Sequence, residues 1–207
     1  MIRKLQLPIT IRTPDPREWT FDSAVSKQIE DSIIANIVEG LVIQYPTEEV
    51  LYNFSSEVNI DSDKFWEVFK ALTLDLPDDI ALIYHHIDEE PKYGDYRDKY
   101  EILNILEFYK YEFANDAYLR FGLISNSESS LEEVFVSENK WIQFWGKNES
   151  RFLNTMAKFD IYPVNNLNFI DQYPVQRTVL GHFNPDCIDT TSLISILEKE
   201  FGDEQLL

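Results

Sequence analysis

The chain has 207 residues, 44% of them hydrophobic and 14% aromatic, which is the composition of a globular protein rather than of a disordered one. Its formal net charge of -19 argues against nucleic acid and anionic membrane surfaces as partners, because both are polyanions. The single cysteine, Cys187, excludes an internal disulfide bond and a cysteine-cluster metal site.

The sequence carries no pattern typical of membrane insertion or of export. No run approaches the roughly 18 apolar residues that a membrane-spanning helix needs. The stretch after Arg3 and Lys4 is broken by Gln6 and Pro8, so it lacks the apolar core of a secretion signal. These features predict a soluble protein of the cytoplasm.

The N-terminal region is expected to begin with an extended segment and to continue as a helix. Three prolines within residues 1–20 indicate the extended entry. Isoleucines then recur at helical spacing from Ser23 to Gly40, and the glycine suits a helix end. No repeat, low-complexity tract or flexible linker interrupts the sequence, so residues 1–207 are predicted to form a single compact domain.

Two further helices are predicted before Pro77. Thr47 is placed to cap the first, whose apolar side chains share one face. The residues of that face are Leu51, Phe54, Ser55 and Val58. Asp61 is placed to cap the second, which ends before Pro77 because a residue that precedes proline avoids the helical backbone.

The middle of the chain predicts strands. Residues 80–87 are rich in β-branched and aromatic side chains and predict a strand, and a helix follows over Tyr100–Phe113. Three short strand-like segments come next, with connections short enough for antiparallel neighbours. These segments are residues 117–124, 131–136 and 140–145. They predict a small β-meander.

The C-terminal part predicts two helices separated by an irregular stretch. The first covers residues 148–159, and the last is capped by Thr190 or Thr191 and stopped by Gly202. Residues 160–188 are mostly irregular. Because helices precede and flank adjoining strands, the sequence predicts an α+β fold, with a helical N-terminal half packed on a small antiparallel β-meander flanked by helices.

No glycine loop for phosphate, dinucleotide fingerprint, nucleophile elbow or H-E-x-x-H motif occurs. The run from His85 to Glu90 sets imidazoles beside carboxylates, which suits a transition metal or acid–base catalysis. Adjacent strand residues point to opposite faces, so His85 and His86 cannot share an ion, whereas His86 and Asp88 can share a face. The competing interpretation is a strand end entering a solvated turn. We assign no catalytic, cofactor-binding or metal-binding residue and predict no cofactor.

Cys187 is a second candidate for chemistry, as a nucleophile with His182 nearby in sequence. A thiolate also needs a base and an oxyanion stabiliser, and Gly181 offers at most one backbone donor. The competing interpretation is a lone buried thiol.

Trp141, Gln143 and Trp145 alternate along the last predicted meander strand, so they share one face, with Ile142 and Phe144 on the other. An exposed tryptophan pair is typical of a recognition surface. The alternative is that flanking segments cover both faces of the strand. Trp141 and Trp145 are therefore candidate partner-binding residues.

The loop after the predicted strand at residues 80–87 lies in the most acidic part of the chain. Between residues 75 and 101, nine acidic residues stand against three basic ones. Carboxylates of the loop would supply a negative field, and its tyrosines would supply rigid contact area. The candidate partner-binding residues are Asp88, Glu89, Glu90, Tyr93, Asp95, Tyr96 and Asp98. The competing interpretation is a solvated loop that contributes only net charge.

From Tyr100 to Phe159 the chain combines a helix, a meander with the run EVFV at 133–136, a strand start at Lys140 and Trp141, and a short helix. In this arrangement it resembles small acidic bacterial proteins of the immunity type. Such proteins neutralise a cognate toxin, often a basic nuclease, by covering its active site. The resemblance implies a protein-binding role and assigns no functional residues.

These observations predict a non-enzymatic cytoplasmic protein that binds a basic protein partner, for example a toxin, and that binds neither nucleic acid nor membranes. Its carboxylates would substitute for nucleic-acid phosphates at a basic groove. Two alternatives stay open: a small enzyme whose carboxylates and histidines converge only in the fold, and a structural or regulatory subunit bound through an apolar patch. A deep polar pocket would favour the enzyme, and a flat acidic face would favour the binding protein.

Overall fold

A computed structural model describes residues 4–19 and 22–202, so residues 1–3 and 20 of the predicted entry segment lie outside the described residues. The strands are β1 (Ile11–Arg12), β2 (Gly40–Gln44), β3 (Phe54–Asn59), β4 (Asp79–His86), β5 (Lys92–Tyr93), β6 (Arg97–Asp98), β7 (Leu119–Asn126), β8 (Leu131–Val136), β9 (Ile142–Gly146) and β10 (Gln176–Arg177). The helices are α1 (Ser23–Ile34), α2 (Phe65–Asp75), α3 (Lys99–Leu106), α4 (Lys110–Asn115), α5 (Glu149–Ala157) and α6 (Thr190–Phe201).

Most of the strands form one eight-stranded sheet. Its order is β2-β3-β9-β8-β7-β4-β5, and β6 also pairs with β4. Every strand pairing in it is antiparallel. The meander β7–β8–β9 lies in the middle, with the β2–β3 hairpin beside β9 and with β4 beside β7. Strands β1 and β10 form a separate antiparallel pair.

One face of the sheet, called the core face, packs against helices α2 to α6. Side chains alternate between the faces of a strand, so every second residue of the central strands enters this core. Phe121 of β7 contacts Phe69 and Phe113, with ring centroids 5.1 and 4.5 Å apart, respectively. Phe144 of β9 stacks on Phe152 at 4.8 Å. Each aromatic pair adds about 0.5–1.5 kcal/mol beyond its buried area, which fixes the helices on this face.

The predicted helical N-terminal half on a small meander is wrong, because two of its segments form strands β2 and β3. The predicted helix after Thr47 has Leu51, Phe54 and Val58 at helical spacing, but Phe54, Ser56 and Val58 also alternate, and all three are buried. Pairing of β3 with both β2 and β9 satisfies its backbone hydrogen bonds. Tertiary pairing therefore overrides the local pattern, and the sheet is larger than predicted.

Two predicted helix boundaries also differ. Helix α1 ends at Ile34, and Gly40 begins strand β2 instead of ending the helix. The predicted helix over Tyr100–Phe113 divides into α3 and α4 at a 3-10 turn, Glu107–Tyr109. The glutamate of that turn accepts a hydrogen bond of 2.8 Å from the Trp66 indole, which ties the turn to α2.

The remaining elements confirm the predictions to within a few residues, and the fold is α+β as expected. Strand β4, the meander β7–β9 and helices α2, α5 and α6 lie where the sequence places them. The caps of two of these helices differ from the predicted ones. Asp189 caps α6 by accepting from Ser192, and Asp61 accepts from the backbone of Gln6 rather than capping α2.

Candidate functional site

The face of the sheet turned away from α2 to α6 is called here the open face. Directly opposite residues of antiparallel strands share a face, so the register gives two rows of side chains that cross it. The first row is Gln44, Ser55, Trp145, Glu133, Ile124 and Ala81. The second row is Val42, Glu57, Gln143, Phe135, Gly122, Ile83 and Tyr93. None of the described side chains in these rows belongs to the core cluster that the helices form.

The two ends of the open face differ in how far they are covered. Residues 165–177 lie over the end at which β9 begins, where Phe169 packs on Trp141 with ring centroids 5.2 Å apart. Toward the other end, Trp145 and Glu133 are partly exposed. The accessible part of the open face therefore centres on this tryptophan–glutamate pair.

Glu133 lies on β8, directly between Trp145 on β9 and Ile124 on β7. Within the described part of the chain it has neither a hydrogen bond nor an ion pair. Burial among these neighbours raises the pKa of Glu133 to about 7. A carboxylate without a donor or a cation beside it is costly to hold on a half-buried surface. Glu133 is thus available to a cation that comes from outside the chain.

Two more carboxylates on this side of the sheet have raised pKa values. Burial raises the pKa of Glu57, and the charge of Asp171 raises it further, while a hydrogen bond from Gln143 opposes both. Burial also raises the pKa of Asp171, against hydrogen bonds from Asn139 and Trp141. The open face therefore concentrates carboxyl groups whose negative charge, once they ionise, the protein compensates only in part.

An ion cluster closes the covered end of the open face. The Glu138 carboxylate accepts from Arg120 at 2.7 Å and from Arg177 at 3.3 Å. Burial alone would raise the pKa of Glu138, but the hydrogen bond from Arg120, a backbone hydrogen bond and the charges of Arg120 and Arg177 together lower it. Arg120 of β7 therefore pairs with Glu138 and does not neutralise Glu133.

The two histidines of β4 point to opposite faces, as predicted. The Nδ1 of His85, a buried residue, lies 3.0 and 2.9 Å from the carbonyl oxygens of His86 and Glu89, respectively. His86 stacks on Tyr118 at 5.8 Å, and its Nδ1 lies 3.6 Å from the Asp88 carboxylate. Across residues 4–19 and 22–202, no three His, Cys, Asp or Glu side chains converge as a metal site would require.

Among the described residues, Cys187 and His182 have no hydrogen bond or ring contact with each other. Burial and the carboxylates of Glu112 and Asp116 raise the pKa of the Cys187 thiol, which disfavours the thiolate a nucleophile needs. His182 is exposed and packs against Phe183, with ring centroids 5.2 Å apart.

The acidic loop divides between the two ends of β4. Asp88, Glu89 and Glu90 follow the strand at the covered end of the open face and are exposed. Asp98 lies opposite Asp79, the first residue of the strand, roughly 24 Å away along it. The backbone N–H of Asp95 donates to the Phe201 carbonyl at the end of α6. Asp98 caps α3 by accepting from the backbone of Tyr100 and Glu101. The seven predicted loop residues therefore extend along the length of β4.

The structure does bring the loop tyrosines and one tryptophan to the same face. Tyr93 is 62% exposed and lies opposite Ile83 at the edge of the second row. The Tyr96 hydroxyl accepts from the backbone N–H of Asn126, beside the exposed end of the first row. Trp145 lies between β3 and β8 on this face, whereas Trp141 is held at the covered end by Asp171.

The residues missed by sequence reasoning are Glu57, Glu133 and Asp171. One signal for Glu133 was present, because it interrupts the alternating apolar residues Leu131 and Phe135 on a strand. Its lack of a partner depends on which strands flank β8, and no local pattern gives that.

Two cavities of about 530 Å³ each lie outside the two rows of the open face. In the first, four of the six charged residues are paired, with Lys99 3.1 Å from Asp78 and Arg151 2.7 Å from Asp75, and the other two are Glu132 and Lys147. The second is lined by Arg12, Tyr118 and Arg177 among others. Neither of these two linings contains a histidine or a cysteine, whereas a third cavity, of about 350 Å³, is lined by His86, Asp116 and Asp189 among others.

Comparison of the chain with family models, curated proteins and solved structures found no match. Among the helices that the structure describes, none has the length and apolar character to cross a membrane.

Proposed function

We propose that the protein is a non-enzymatic binding protein that recognises a basic protein partner through the open face. Toxin neutralisation of the immunity type is one function of this kind, and the partial sequence resemblance favours it. One observation carries the proposal. Glu133 has no hydrogen bond or ion pair within the described residues, and it lies beside Trp145 on the sheet face opposite to helices α2 to α6.

Charge supports a basic partner over a neutral one. The two rows contain two carboxyl groups, those of Glu57 and Glu133, and no basic side chain, and the whole chain has a formal net charge of -19. Such a field speeds encounter with a basic protein and repels acidic competitors. The exposed turn of Asp88, Glu89 and Glu90 adds to this field from the edge, and we assign it to steering rather than to contact.

Shape supports a protein over a small molecule. Seven strands cross the second row, and at a spacing of about 4.8 Å they span roughly 30 Å. Ile83 and Gly122 in this row are buried, whereas Glu57, Gln143 and Phe135 are partly exposed, so the accessible part lies mainly over β3, β9 and β8. Tryptophan and tyrosine at Trp145 and Tyr93 are residue types that commonly provide the binding energy of such interfaces.

The test is capture of the partner by variants of the open face. We expect Trp145→Ala to weaken binding of the protein that the wild type captures from lysate of its own cells by at least tenfold, because a tryptophan at the centre of an interface contributes about 2 kcal/mol or more. The partner is purified after capture, and its affinity for both forms is measured by calorimetry.

Phe108→Ala is the matched control, since Phe108 is 85% exposed and lies in the turn between α3 and α4, outside the open face. Equal affinity of the wild type and Trp145→Ala would contradict the proposal. An equal loss in both variants would contradict it as well.

A further inference from the structure

We propose that the Glu133–Trp145 pair is an acceptor site for an arginine side chain of the partner. This inference rests on the proposed function and names the group that the open face recognises. The pair is directly opposite across β8 and β9, so the two Cβ atoms lie within about 5.5 Å and both side chains leave the same face. The indole and the carboxylate can therefore contact one ligand group together.

A guanidinium fits this pair better than an ammonium does. Its plane stacks on an indole, and its N–H groups donate in parallel to the two oxygens of a carboxylate. Within the described residues, both oxygens of Glu133 and the Nε1 of Trp145 make no hydrogen bond, so no internal contact has to be broken. A lysine ammonium would satisfy the charge but would not use the planar geometry.

The surroundings leave Glu133 without an internal counterion. The titratable or charged groups of the neighbouring strands on this face are Glu57 of β3, Asp79 and His85 of β4, Tyr93 of β5, Asp98 of β6 and Arg120 of β7. Arg120 is engaged by Glu138 at 2.7 Å. The Tyr96 hydroxyl, which lies near Asn126, is bonded to the backbone there.

Arginine binding at this site should depend on pH. The guanidinium binds the ionised carboxylate, and burial raises the pKa of Glu133 to about 7. Lowering the pH from 8 to 6 protonates the free carboxylate and is expected to weaken binding by about tenfold. The probe must therefore carry a charge that is constant over this range.

The experiment is an NMR titration with N-acetyl-L-arginine amide, with N-acetyl-L-lysine amide as the matched monocation. The readout is the indole Nε1–H signal of Trp145, assigned by its loss in Trp145→Phe. We expect the arginine probe to shift this signal at pH 8, to bind at least threefold more tightly than the lysine probe, and to bind about tenfold more weakly at pH 6. Glu133→Gln, which preserves side-chain size, should abolish the shift.

An unchanged shift in Glu133→Gln, or equal binding of the two probes, would overturn the arginine site. The proposed function fails separately, because it depends on the loss of the captured partner in Trp145→Ala. If Trp145→Ala loses the partner but the wild type does not respond to the arginine probe, the open face is still the binding face and only the arginine site is contradicted.

Discussion

Replacing Glu133 by glutamine is expected to raise the free energy of unfolding by about 2–3 kcal/mol at pH 8.5 and to leave it unchanged at pH 4. Burial raises the pKa of Glu133 from 4.5 to about 7, so the folded protein holds this proton more tightly than the unfolded chain does. Stability is therefore lost as pH rises from about 4.5 to about 7 and stays lost above that. Urea unfolding of both proteins across this range measures the effect.

Glu128→Gln is the control, because Glu128 is exposed in the turn between β7 and β8 and its replacement should change stability by less than about 0.5 kcal/mol. A difference between Glu133→Gln and the wild type that is the same at pH 4 and pH 8.5 would show that the carboxylate is well solvated. Because Glu133→Gln is expected to be more stable than the wild type, the glutamate is not there to stabilise the fold. This favours a binding role for Glu133.

Replacing Lys140 by methionine is expected to change how stability depends on pH. The wild type should gain about 1.4 kcal/mol relative to the variant for each pH unit between about 7 and about 10. Lys140 is 3% exposed in the turn between β8 and β9, where its ammonium donates to the Leu119 carbonyl at 2.8 Å. Burial lowers its pKa from 10.5 to about 7, although Asp116 and Glu138 oppose the shift.

The sign of the effect follows from proton binding. Below about pH 7 the lysine is charged in both states, and the full cost of burying it is present. Between about 7 and 10.5 the folded protein has released the proton and the unfolded chain has not, so the free energy of unfolding rises with pH.

Urea unfolding of the wild type and Lys140→Met over this range is the measurement, and Lys158→Met, which removes an exposed ammonium, is the control. A constant difference between wild type and Lys140→Met would mean that Asp116 and Glu138 keep the buried lysine charged.

Sequence patterns predicted the elements whose neighbours in the sheet are also neighbours along the chain. The meander β7–β8–β9 has short connections, so local turn and alternation signals specify both its strands and their order. Helices α5 and α6 have polar residues before their first turns, Asn148 and Asp189, and clear apolar faces. In these regions local preference and tertiary contacts agree.

The β2–β3 hairpin escaped prediction because its stability comes from a distant partner. The segment around Phe54 and Val58 satisfies a helical and an alternating pattern at once, and only pairing with β9 decides between them. That pairing joins residues far apart in sequence, which no local window contains.

The sequence predicted only part of the candidate site, because the rest of the site depends on pairing between strands that are distant or whose register is not local. The shared face of Gln143 and Trp145 follows from alternation along one strand, and the structure bears that out. The position of Glu133 beside Trp145 depends on the register between β8 and β9. The separation of Asp88 from Asp98 depends on the loop returning along β4.

The placement of β3 against β9 has a consequence for synthesis on the ribosome. Phe54 lies opposite Gly146, so β3 emerges roughly 90 residues before its partner strand does. At a synthesis rate of about 5–20 residues per second, the edge of the β2–β3 hairpin stays unpaired for roughly 5–20 s until β9 is made. A two-stranded hairpin is marginal in water, so we expect nascent chains that end before residue 142 to be sensitive to protease at residues 40–59, and chains in which all of β9 has left the ribosome to be protected. Chaperones that bind exposed strands would have this interval in which to act.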